Sequence, residues 1–215
     1  MKIPENSPLF HHILPVEQEK LLSCLQATEK RYEKGEVILR EGEPTRWMGL
    51  VLTGRVLLEH SGVSGNNAVL GSVLPGAVFA EPYACLPRQP LLIRAVAAEE
   101  SRVLLLQAER VLDTCPETCA CHGQLLRNLL TVCAEKNLHL SQRILHTSPK
   151  TIRGRLLSYF SDRVRQTGSQ RFSIPFDRQQ LADYLGVERS ALCHELSKMR
   201  REGLIRYRKN QFEWL

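Results

Sequence analysis

The chain has 215 residues, 43% of them hydrophobic and 24% charged, with a net charge of +6, so it is expected to fold into about two domains rather than stay disordered. No apolar run approaches the roughly 20 residues a membrane helix needs. The opening MKIPENSPLFHHILP has prolines and a Glu where a secretory signal would be basic and then apolar, so the seven cysteines are expected as reduced thiols in the cytoplasm, with no membrane partner.

Residues 31–106 read as short strands broken by glycine turns. The candidates are 37–39, 49–52, 56–58, 69–74, 91–93 and 103–106, punctuated by Gly35, Gly42, Gly54, Gly62, Gly65 and Gly76. Strands this short and this closely spaced predict a sandwich or barrel.

Next comes DTCPETCACH, residues 113–122, which packs three cysteines and a histidine into eight residues. On a helix, Cys115, Cys119 and His122 share a face at i, i+4 and i+7. Thiolates and an imidazole so placed suit a metal, haem iron or a redox pair, although the spacing fits no zinc-finger or ribbon pattern. The plain alternative is that these thiols pack as small hydrophobes. Any metal or cofactor stays unassigned.

From Gln124 to His146 the sequence predicts one helix. Leu126, Leu130, Cys133, Asn137, Leu140 and Ile144 recur at spacings of 4, 3, 4, 3 and 4, the pattern of a coiled-coil seam with Asn137 setting register. An ordinary amphipathic helix is the alternative. Ser148 then reads as an N-cap and Pro149 as the first turn of a helix over 150–165, which makes His146-Thr147 a hinge.

The segment FDRQQLADYLGVERSALCHELSKMRREGLI, residues 176–205, carries the strongest signal. Asp177 is a good N-cap for a short helix with Leu181, Tyr184 and Leu185 on its inner side. Gly186 turns the chain, Val187 fills the gap, and a second helix runs from Arg189 to Arg201, ended by Gly203. Leu192, Leu196 and Met199 form its inner stripe. Its other face is polar, the arrangement by which a helix enters the DNA major groove. Candidate DNA contacts are Arg178 and Gln179 on the first helix and Arg189, Ser190, His194, Ser197, Lys198 and Arg200 on the second. A hairpin turning at Lys209-Asn210 follows. Residues 147–215 hold 14 Lys and Arg against 7 Asp and Glu, whereas residues 1–146 hold 15 against 16. The excess positive charge thus lies where phosphates would be met.

KGEVILREGEP (34–44), MGLVLTGRVLL (48–58) and LPGAVFAE (74–81) resemble a cyclic-nucleotide-binding β-roll. With the helix-turn-helix behind them, the chain resembles the Crp/Fnr family of bacterial transcription regulators over residues 10–215. The resemblance implies an α+β fold divided into a sensing β-roll (jelly-roll, 1–122), a dimerisation helix (123–146) and a C-terminal winged helix-turn-helix (147–215). It further implies a homodimer on a palindromic double-stranded DNA site, RNA polymerase as a further partner, and an effector acting at the roll or the dimer helix.

Relatives that bind cyclic AMP carry Gly-Glu at the ribose and an Arg followed by small residues at the phosphate. Here Glu81 matches, but Ala80 replaces the glycine and Arg88-Gln89-Pro90 stands at the phosphate place. Proline has no N–H and glutamine is bulky, so cyclic AMP is not the expected ligand. Glu81, Arg88 and the Cys115, Cys119, His122 set remain the effector candidates, with a cyclic-nucleotide-gated regulator as the alternative. No nucleophile–base motif, Walker loop or dinucleotide fingerprint is present. An enzyme would therefore have to rest on the Cys/His cluster as a metal or redox site.

Overall fold

The computed structural model describes residues 2–61, 67–86, 88–113 and 120–215, with the backbone alone at 67, 68 and 120. The chain divides into two compact units, Met1–Glu135 and Lys136–Leu215.

In the first unit, helix α1 (Pro15–Cys24) leads into strands β1 (Thr28–Tyr32), β2 (Val37–Leu39), β3 (Trp47–Thr53), β4 (Val56–Ser61), β5 (Asn67–Val73) and β6 (Val78–Phe79). The short helix α2 (Glu81–Ala84), strands β7 (Arg94–Ala97) and β8 (Ser101–Gln107) and helix α3 (Ala108–Leu112) follow. Two antiparallel four-stranded sheets result, ordered β1-β8-β3-β6 and β2-β7-β4-β5.

The near-continuous apolar runs in β3 and β8 have a simple cause: their sheet is covered on both faces. Met48, Leu50, Leu104 and Leu106 join one core cluster, while Val51, Val103 and Leu105 join another with Phe79, Ala95 and Ala97. Gly49 lies against the Phe79 ring, which a Cβ would overlap.

The strand expected at 91–93 is displaced to β7. The Leu91 N–H donates to Glu43 O at 3.0 Å and its side chain is buried, so this stretch closes a loop before the ladder begins. In this unit two strands escaped the sequence reading. β1, TEKRY, is a polar edge strand burying only Tyr32, and β6 has two residues.

Helix α4 (Ala120–Thr147) starts four residues earlier than expected and runs on into the second unit. There it is followed by α5 (Ile152–Thr167), β9 (Arg171–Ser173), α6 (Arg178–Leu185), α7 (Arg189–Arg201), β10 (Ile205–Arg208) and β11 (Gln211–Trp214). The three strands form an antiparallel sheet, β10-β11-β9, around an aromatic core. Phe160 and Phe212 lie 4.8 Å apart between centroids, with Phe172 5.5 Å from Phe160. β9 was not anticipated, because RFS gains its place by pairing with β11 and burying Phe172.

Ser148 closes α4 instead of opening α5. Its N–H donates to Ile144 O at 2.8 Å and its hydroxyl to Leu145 O at 3.1 Å. Thr151 is the N-cap of α5, accepting from Gly154 N at 3.0 Å. The hinge expected at His146-Thr147 is helical, and His146 is buried, 4% exposed.

Candidate nucleic-acid interface

Both helices of the turn motif are closed by their own sequence. At the start of α6, Asp177 accepts from Gln180 N at 2.8 Å, and Gln180 reaches back to Asp177 N at 2.9 Å, a reciprocal capping box. Gly186 ends the helix at φ 64°, left-handed backbone that favours glycine. The Val187 N–H then donates to Ala182 O at 3.0 Å, folding the turn back on α6.

Glu188 caps α7, accepting from Ala191 N at 2.8 Å and from the Ser190 hydroxyl. These donors hold the Glu188 carboxyl below its ordinary value, led by the Ser190 hydroxyl. Leu192, Leu196 and Met199 are buried, as their spacing predicts. Arg153 of α5 fixes the helix from the side, donating to Glu195 at 2.6 Å and to both oxygens of Glu202 at 2.7 and 3.0 Å. Those carboxylates raise the pKa of the guanidinium further.

The candidate contacts separate by what their polar atoms already do. Arg189, His194 and Lys198 are exposed along α7, and Gln179 is exposed on α6 with its amide on Asp183 at 2.8 Å. Ser190 is engaged by the cap, and the Ser197 hydroxyl donates to Cys193 O at 2.9 Å. Arg200 is exposed, its guanidinium 5.2 Å from the Tyr207 ring centroid. Arg178 is turned inward: it donates to Lys209 O at 2.9 Å and lies 5.1 Å from both the Tyr207 and Phe212 rings, bracing the wing.

The exposed face also holds Arg201, which follows Ser190, His194 and Ser197 at spacings of 4, 3 and 4. That spacing was available in the sequence. The wing adds Arg206 and Arg208, both exposed, across a turn at Lys209-Asn210.

The long helix shows two apolar stripes. Leu125, Leu129 and Val132 are buried in the first unit's core. Of the proposed seam, Leu126 is half-buried and Cys133 packs partly against that core, whereas Leu130, Asn137, Leu140 and Ile144 are exposed. Leu130, Leu140 and Ile144 are 62%, 61% and 66% exposed, a degree unusual for apolar side chains repeating on one face.

Around the expected effector place, Ala80 has φ 62° and ψ 10°, and Glu81 is buried at the start of α2. Arg88 is exposed on its loop. Beside it the Gln89 N–H donates to Leu86 O at 2.8 Å. With the Leu91 N–H on Glu43 O and no N–H at Pro90, this stretch offers little to a phosphate.

Cys115 and Cys119 lie outside the described residues. His122 is buried at the start of α4, its Nε2 3.0 Å from Val111 O, and Nδ1 has no hydrogen-bond partner among the described residues. No group of three His, Cys, Asp or Glu among the described residues is placed to hold a metal.

Residues 29–117 match the family described as the cyclic nucleotide-binding domain, and residues 154–214 match the Crp-like helix-turn-helix domain. The chain belongs to the Crp/Fnr family. It is an effector-regulated, DNA-binding transcription regulator, and the enzyme alternative built on the Cys/His cluster is set aside. The cyclic AMP receptor protein of Thermus thermophilus is 26% identical over 202 residues, covering 94% of this chain and 89% of that protein.

The structure of OCPA-complexed CprK has a TM-score of 0.65 at 16% identity, covering 91% of this chain and 89% of that one. The c-di-GMP-responsive regulator CLP of Xanthomonas campestris has a TM-score of 0.57 at 15% identity, covering 91% and 98%. At these identities the likeness speaks for the fold. Among the described residues, no helix is long and apolar enough to cross a membrane.

Proposed function

We propose that this Crp/Fnr regulator binds a palindromic double-stranded DNA site as a homodimer in the cytoplasm, α7 of each protomer entering the major groove. The observation that carries this reading is the face of α7 itself. Arg189, His194, Lys198 and Arg201 are exposed on a helix capped at its start and braced by Arg153. Arg189 and His194 read base edges, while Lys198, Arg200 and Arg201 meet phosphates. Arg178 acts by holding the wing. The exposed Leu130, Leu140 and Ile144 stripe supports pairing of α4 with its copy. RNA polymerase is the further partner such a regulator meets.

DNA binding is gated by an effector at the roll or at α4, and that effector is not cyclic AMP. A cyclic-nucleotide-gated regulator is the competing reading, favoured by the match to a cyclic AMP receptor protein. Against it stand the engaged N–H groups of Gln89 and Leu91 and the missing one at Pro90.

Selection from a random DNA pool should enrich a two-fold symmetric site with half-sites about 10 base pairs apart. Enrichment of no site, or of a single half-site, would overturn the dimeric reading. Titration calorimetry with cyclic AMP should show no binding near about 1 μM, and a clear isotherm there would restore the competing reading.

A further inference from the structure

The end of α6 and the turn after it carry carbonyls that the helix cannot itself satisfy. Two arginines supply the donors. Arg143 of α4 donates through Nη2 to Asp183 O and through Nε to Tyr184 O, both at 3.2 Å. Arg155 of α5 donates through Nη1 to Leu185 O at 2.8 Å and Gly186 O at 2.9 Å, while its Nε holds Pro149 O at 2.9 Å.

Consecutive carbonyls from Asp183 to Gly186 are thus gripped from two sides. The grip is electrostatically favourable, because a helix C-terminus is its negative end. One turn along α4, His146 Nδ1 is 2.8 Å from the Tyr184 hydroxyl, and the Arg143 guanidinium lies 5.8 Å from the Tyr184 ring centroid.

The same turn sets where α7 begins. Val187 N–H is tied to Ala182 O, and Glu188, the next residue, caps the recognition helix. Whatever fixes the end of α6 against α4 therefore fixes the recognition helix against α4. In a dimer joined along α4, the distance between two recognition helices is set through this joint on each side.

We propose that Arg143 is a positioning residue that sets the stringency of half-site spacing. It touches no DNA. Its two hydrogen bonds, together with the His146–Tyr184 contact one turn along, hold the angle between the dimer helix and the turn. Arg155 cannot replace it, because Arg155 bonds to the turn from α5. Lysine in place of Arg143 keeps the charge but loses the planar fork that spans two carbonyls. The inference rests on the two-half-site reading above.

The test uses the full chain and the duplex selected by the wild type, together with the same duplex lengthened or shortened by one central base pair. One base pair shifts the half-sites by about 3.4 Å and rotates them by about 34°. The wild type should lose at least about tenfold in affinity on either altered duplex. Arg143→Lys should bind the original duplex several-fold more weakly, yet lose less than about threefold on the altered ones. Its affinity for random duplex, and the salt dependence of that affinity, should stay unchanged, because the charge is retained.

Tyr184→Phe removes only the hydroxyl and should relax the spacing ratio in the same direction. A uniform loss on all duplexes with the wild-type ratio intact overturns the proposal. Should Arg143→Lys fail to fold by circular dichroism, an unchanged ratio in Tyr184→Phe overturns it. A wild type indifferent to spacing refutes the two-half-site reading itself, and the proposal with it.

Discussion

Leu140→Lys isolates the dimer seam from every other role of α4. Leu140 is 61% exposed, residues 134–141 are exposed throughout, and Leu140 belongs to neither unit's core among the described residues. Full burial of a leucine contributes about 1.5–3 kcal/mol; burying the exposed fraction in a dimer contributes about 1–2 kcal/mol per chain. A symmetric seam counts it twice, which weakens dimerisation about 30- to 1000-fold before the repulsion of two facing ammonium groups is added. Sedimentation equilibrium over a concentration series measures this directly. Circular dichroism and thermal unfolding should match the wild type, separating lost pairing from lost folding. A wild type that stays monomeric, or a Leu140→Lys dimer as tight as the wild type, refutes the seam.

Arg189→Ala should weaken the selected site on the order of tenfold to a hundredfold and flatten base preference at one position, read by competition with single-base variants; intact preference would remove Arg189 from the groove. Ala80→Gly should raise the unfolding midpoint of the first unit. Left-handed alanine costs roughly 1–2 kcal/mol and the extra unfolded-state freedom of glycine offsets about 0.4–1 kcal/mol of that, so a net gain of up to about 1.6 kcal/mol is expected and a loss would contradict it. Burial lowers the pKa of His146, with Asp162 at 3.6 Å partly opposing. The unfolded chain then takes up the proton first, so stability of the second unit should fall as pH drops below about 6.5, by no more than about 1.4 kcal/mol per pH unit from this group. Urea titrations followed by Trp214 in a Trp47→Phe background measure it, and a His146→Gln variant with the same pH slope would exclude His146 as the cause.

The elements legible in the sequence are those whose signals are local. α6 and α7 declare themselves through Asp177, Gly186 and an apolar spacing of 3 and 4, and the wing through two apolar stretches about a tight turn. What was missed depends on pairing or on competition between partners. β1 looks like a solvated stretch because it lies at a sheet edge, and β9 has no pattern until Phe172 meets Phe212. Ser148 and Thr151 are both reasonable caps; the choice turns on Ile144 O and Leu145 O accepting from Ser148. Arg178 has the composition of a phosphate contact, and no local pattern announces that it also donates to the Lys209 carbonyl and lies over the Tyr207 and Phe212 rings.

On the long helix two neighbouring rows of residues satisfy one periodicity, and periodicity alone does not say which row faces the core. Leu125, Leu129 and Val132 repeat at 4 and 3, as do Leu126, Leu130 and Cys133 one residue later. Both rows satisfy the same pattern, and adjacent rows lie about 100° apart around the helix. The structure gives the first row to the core and leaves Leu130 in solvent, with Cys133 divided between the two. Beyond Cys133 the core stripe stops, while the exposed row continues through Asn137, Leu140 and Ile144. The seam therefore has to be judged from its distal half, where Leu140 and Ile144 belong to neither unit's core among the described residues. A partner helix is the simplest surface that would cover both Leu140 and Ile144 without disturbing the Arg143 and His146 contacts of the last turns.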